Sequence, residues 1–110
     1  MAKKKIKTII EYLKNLLEKR GFEIDKIILF GSYVRGNYRE DSDVDIVVIS
    51  KDFSGKDIFE RAKMLGDIEW LLMEKFLIPL DIITMSPEDF KKGISPISQY
   101  AKEGEVIYGW

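Results

Sequence analysis

The run Asp43-Val44-Asp45-Ile46-Val47-Val48-Ile49-Ser50 constrains this chain more than any other stretch. It is rich in β-branched residues and reads as a strand. Side chains alternate between faces with period two. Val44, Ile46 and Val48 take one face, while Val47 and Ile49 continue the face of Asp43 and Asp45. A strand apolar on both faces belongs inside a sheet that is covered by helices. The same run opens with two carboxylates on one side. Their mutual repulsion and their desolvation call for a cation between them. Oxygen ligands suit a hard ion, Mg²⁺ above all.

The other residues narrow the chemistry. The 110 residues make one domain, 1–110, with 45% hydrophobic residues for one core. There is no cysteine and no histidine. Disulfides, thiol catalysis, zinc-thiolate sites and imidazole bases are therefore excluded. Proton transfer falls to a carboxylate, Lys or Tyr. Eighteen basic residues against 19 acidic ones argue against binding long nucleic acid through a basic surface. No apolar run is long enough to span a membrane, and Lys3-Lys4-Lys5 leads into an amphipathic segment. The expected location is the cytoplasm, with no membrane partner.

Ile6, Ile9, Ile10, Leu13, Leu16 and Leu17 recur at helical spacing and predict a helix over Lys3 to Arg20, closed by Gly21. Lys26 to Phe30 reads as the first strand and Asp43 to Ser50 as the second. Ser32 to Gly36 can form one helical turn. The pattern from Asp57 to Lys75 predicts a second helix, with Ile58, Ala62, Leu65, Leu72 and Phe76 near one stripe and Gly66 inside it. Leu80 to Met85 reads as the third strand. Ser86-Pro87-Glu88-Asp89 carries the signature of a helix start, and Ser95-Pro96 a second one. Val106 to Tyr108 reads as a last extended piece. The α-β-α-β-α-β-α order favours a small sheet flanked by helices.

Gly31-Ser32 follows the first strand. Glycine lets the backbone approach phosphate oxygens, and Ser32 offers them a hydroxyl and an N–H. Arg35 lies one turn further on, and its guanidinium matches the same phosphates. Asp81 is a lone charge in the apolar strand Leu80-Asp81-Ile82-Ile83. If that strand neighbours the second one, Asp81 joins Asp43 and Asp45. Three carboxylates around two Mg²⁺ ions suit an in-line displacement, and Asp81 can accept the attacking hydroxyl's proton. Tyr33, Trp70, Tyr100, Tyr108 and Trp110 are candidates for base stacking, with nothing to select one.

The string Gly31-Ser32-Tyr33-Val34-Arg35-Gly36, then Ser42-Asp43-Val44-Asp45, then Asp81 on a later strand, resembles the minimal nucleotidyltransferases of the DNA polymerase β superfamily. One departure is Val34, where alanine is usual. The resemblance implies the nucleotidyltransferase fold, an α/β (α+β) domain with a small mixed three-stranded core sheet. It implies Asp43 and Asp45 as ligands of both magnesium ions, Asp81 as ligand and base, and Gly31 and Ser32 as holders of the ATP triphosphate. Many minimal members resemble the antitoxin half of a two-gene module. They transfer AMP from ATP to a tyrosine of a HEPN-domain toxin, and they also bind it. Larger relatives continue into a second helical domain, so this short chain is expected to act on a macromolecular acceptor. Two alternatives stand beside that reading. One is inhibition of the toxin by contact alone; the other is transfer to a small molecule or RNA end. The sequence leaves a homodimer open.

Overall fold

The computed structural model describes residues 2–30, 44–92 and 105–108. Its elements are α1 (Ala2–Lys19), β1 (Ile24–Phe30), β2 (Val44–Ser50), a 3-10 turn (Lys51–Phe53), α2 (Ile58–Leu65), α3 (Ile68–Phe76), β3 (Leu80–Met85), α4 (Pro87–Lys92) and β4 (Glu105–Tyr108). The expected helical turn at 32–36 and the short helix after Ser95 lie outside the described residues. No described helix is long and apolar enough to cross a membrane.

α1 forms as its periodicity predicts. Ile6, Ile9, Ile10, Leu13 and Leu17 are buried, and Leu16 packs against them half-buried. The helix stops at a glycine in the left-handed region, Gly21 at φ +90°. Phe22 N–H donates to the Leu17 carbonyl at 3.1 Å and Gly21 N–H to that of Glu18 at 3.0 Å, a Schellman closure.

The sheet runs β3-β2-β1-β4. β1 pairs antiparallel with β2 and with β4, while β2 and β3 are parallel. The expected mixed three-stranded core is thus β1, β2 and β3, with β4 added outside β1. A parallel pair needs a crossover, and α2 with α3 supplies it. One face of the sheet (Ile27, Leu29, Val44, Ile46, Val48, Leu80 and Ile82) packs with α1, Ile68 and Leu72 of α3, and Phe53. The other face gathers Ile28, Val47, Ile49, Ile83 and Met85 under Phe90 of α4. Ser86 caps α4 as expected: its Oγ accepts from Asp89 N–H at 3.1 Å.

The predicted single helix from Asp57 to Lys75 is corrected to two. Gly66 closes α2 at φ 59°, ψ −122°. The apolar stripe fails for the same reason, because Leu65 and Leu72 belong to different helices. Both are buried, whereas Ile58 is 75% exposed and Ala62 is exposed too. Arg20 latches this corner from the end of α1. Its Nη1 donates to the Leu65 carbonyl at 3.2 Å and its Nη2 to Asp67 Oδ1 at 2.7 Å. A Cβ on residue 66 would meet Arg20 Nη1 at 3.1 Å in a backbone conformation that L residues rarely adopt. Gly66→Ala should therefore cost about 1–3 kcal/mol. Urea unfolding checks this. Combining it with Arg20→Ala should recover only the contact part, leaving the backbone part.

Arg61 performs a second long-range tie. Its Nε donates to the Lys56 carbonyl at 3.0 Å and its Nη1 to the Thr84 carbonyl at 3.1 Å. Its Nη2 reaches Asp89 Oδ2 at 3.4 Å, and the guanidinium lies 5.9 Å from the Phe53 ring centroid. β3 is the edge strand, so this half-buried arginine covers part of an open edge. At the other end of β3, Val44 N–H donates to the Pro79 carbonyl at 2.9 Å and fixes where the parallel pairing starts. α3 ends just before it on Leu77, which is left-handed at φ 54°, ψ 41°. A leucine in that region costs roughly 1–2 kcal/mol against glycine.

Candidate active site

The parallel register of β2 and β3 places Asp45 directly opposite Asp81. Neighbouring strands lie about 4.8 Å apart, so the two side chains leave the same face side by side. Behind them the row continues with Val47 opposite Ile83 and Ile49 opposite Met85. This is the face that Phe90 covers, so the two aspartates stand where that apolar row ends. The alternate pairs, Val44 with Leu80 and Ile46 with Ile82, turn to the face of α1 and α3.

β1 ends at the same place. Phe30, its last residue, is the register partner of Asp45. The chain therefore leaves β1 for Gly31 and Ser32 from beside the pair. Gly31, Ser32, Arg35 and Asp43 themselves lie outside the described residues.

Asp45 is half-buried and Asp81 exposed. The desolvation argument made from the sequence thus applies to Asp45. Asp81 keeps its water because β3 is an outer strand. Two anionic carboxylates on adjacent strands, one side open to solvent, suit a hard divalent cation with room for water and phosphate ligands. Among the described residues no group of three potential ligands is gathered.

Glu69 on α3 was not foreseen. It is half-buried, and burial first, then the charge of Asp81, pushes its carboxyl above the usual range. The only sequence signal is an acid set within Ile68-Glu69-Trp70-Leu71-Leu72. A raised native pKa means that the fold disfavours the ionised form. Stability is then unaffected below the unfolded value and falls as pH rises through the native one. Glu69→Gln should raise the melting midpoint at pH 7 and change it little below about pH 4. With solvent screening discounted, the gain is under about 1 kcal/mol. Thermal melts at the two pH values check both the sign and the window.

Comparisons with known proteins identify the family. A family model described as a nucleotidyltransferase domain matches residues 6–106. A protein of Methanocaldococcus jannaschii named as a candidate protein adenylyltransferase is 37% identical over 99 residues, covering 88% of this chain and 67% of that protein. Protein adenylyltransferase MntA of Thermococcus cleftensis is 36% identical over 90 residues, 82% of each chain. Among solved structures, a chain of a toxin-antitoxin crystallised with AMP-PNP superposes with a TM-score of 0.67. It is 21% identical and covers 94% of this chain and 73% of that one, a likeness of fold.

Proposed function

Since the chain belongs to the nucleotidyltransferase domain family, we propose that it transfers AMP from ATP to a tyrosine of a HEPN-domain toxin and so acts as the antitoxin. The observation that carries this reading is the Asp45–Asp81 register pair at the end of β2 and β3. A protein that acted by contact alone would have no need of two adjacent carboxylates there.

In this reading Asp43, Asp45 and Asp81 hold two Mg²⁺ ions. Bound there, the ions supply charge neutralisation for the triphosphate and lower the pKa of the attacking hydroxyl. Gly31 and Ser32 cradle the triphosphate with backbone N–H groups and a hydroxyl, and Arg35 pairs with its oxygens. Asp81, the more solvated of the pair, accepts the tyrosine proton. The tyrosine oxygen forms a bond to the α-phosphorus. The bond from the α-phosphorus to the bridging oxygen breaks, and pyrophosphate departs with its electron pair. The two names that support the acceptor class are those of the adenylyltransferase relatives and of the toxin-antitoxin neighbour.

The test is transfer of label from α-³²P-ATP with Mg²⁺ to the co-encoded HEPN-domain protein, mapped by mass spectrometry. Label on one of its tyrosines, with loss of toxicity, is the expected result. No label on it, or label on a free small acceptor instead, would overturn the reading.

A further inference from the structure

Trp70 and Glu74 stand at i and i+4 on the outer side of α3, and Leu77, the left-handed residue that ends the helix, follows at i+7 to complete an exposed stripe. Trp70 is 60% exposed and Leu77 is 86% exposed. The opposite side of the same helix buries Ile68 and Leu72. A helix apolar on both sides is one built to be covered on both. Leu77 sharpens the point. It holds a left-handed helix end, a place where glycine or asparagine is the usual occupant, and its side chain lies almost wholly in solvent.

The stripe ends close to the turn that carries the chain into β3. Leu77 precedes Asp81 by four residues, a span of at most about 14 Å. The segment between them is pinned to the start of β2 by the Pro79 carbonyl. The charge around the stripe is acidic: Glu74 on it and half-buried Glu69 beside it. Lys75, the one basic residue of α3, turns its ammonium to the rings of Tyr12 and Phe76, 5.0 and 5.9 Å from their centroids. An apolar strip with an acidic border complements a basic amphipathic helix.

We propose that the Trp70–Glu74–Leu77 stripe is where the acceptor protein docks, laying a basic amphipathic helix on α3. The inference rests on the transfer reading above for the identity of its partner.

The experiment uses the full chain and the co-encoded HEPN-domain protein, with Trp70→Asp and Leu77→Gly. Leu77→Gly removes the side chain, keeps the left-handed turn and relieves its strain, so it should raise the melting midpoint. Each variant should raise the acceptor KM and the calorimetric Kd for the partner about tenfold or more, with ATP binding and kcat at saturating acceptor unchanged. A merely structural leucine would leave KM where it was. Variants labelled with the wild-type KM overturn the docking surface and leave the transfer reading intact. Wild-type chain that binds through the stripe but transfers no label keeps the surface and removes the reading. Wild-type chain that neither binds nor labels removes both. Loss of self-association by sedimentation, with partner binding unchanged, would assign the stripe to a second copy and likewise overturn the proposal.

Discussion

Asp45→Asn should lower AMP transfer by about a thousandfold or more while the domain stays folded. Asp45 and Asp81 are one pair, set opposite each other by the β2–β3 register, and the chemistry proposed needs both charges. Asparagine matches the volume of aspartate and keeps one acceptor oxygen, so half-buried residue 45 still fits its place in the strand. What it loses is the second anionic oxygen. Two measurements separate this from a folding defect. In EDTA the variant should melt within a few degrees of the parent, since asparagine keeps the volume and polarity of residue 45. Added Mg²⁺ should raise the parent's midpoint by mass action and leave the variant's unmoved. A variant that keeps more than a tenth of the parent's rate would take Asp45 out of the reaction.

Phe53→Ala should do the reverse. Phe53 is fully buried in the 3-10 turn after β2, tilted against Phe22 with ring centroids 5.6 Å apart. Arg61 lies over its ring. Truncating it leaves a cavity between α1, α2 and the sheet and costs about 3–5 kcal/mol. That is a large part of the roughly 5–15 kcal/mol that holds a domain of this size together. The melting midpoint should fall by more than about 10 °C. β2 spans seven residues, about 23 Å, and Phe53 lies beyond its far end from Asp45. Transfer per folded molecule, measured at 15 °C with the folded fraction taken from circular dichroism, should stay within about twofold of the parent. A larger loss would mean that the two ends of the sheet are coupled.

Local pattern was readable where one element decides it. The closure of α1 at Gly21 and the bounds of β3 follow from spacing and turn chemistry within a few residues. The break at Gly66 was harder to read, because the apolar spacing of α2 and α3 runs on across it. What stops the helix is a backbone angle, held by a latch from Arg20, 45 positions away from the carbonyl it binds. Ile58 illustrates the same limit. Its place in the pattern says core, and its place in space says solvent, because the helix it was assigned to is two helices broken at Gly66.

The chain alone determined which residue types are available for chemistry: carboxylates, a glycine-serine turn, an arginine, and no imidazole or thiol. It also determined that Asp45 shares the face of Val47 and Ile49, since alternation along a strand is a local property of the backbone. Only the tertiary structure decided that Asp81 faces Asp45. Register between strands joined by a 29-residue crossover depends on how α2 and α3 pack and on the hydrogen bond from Val44 to Pro79, neither of which is written in the residues beside either aspartate.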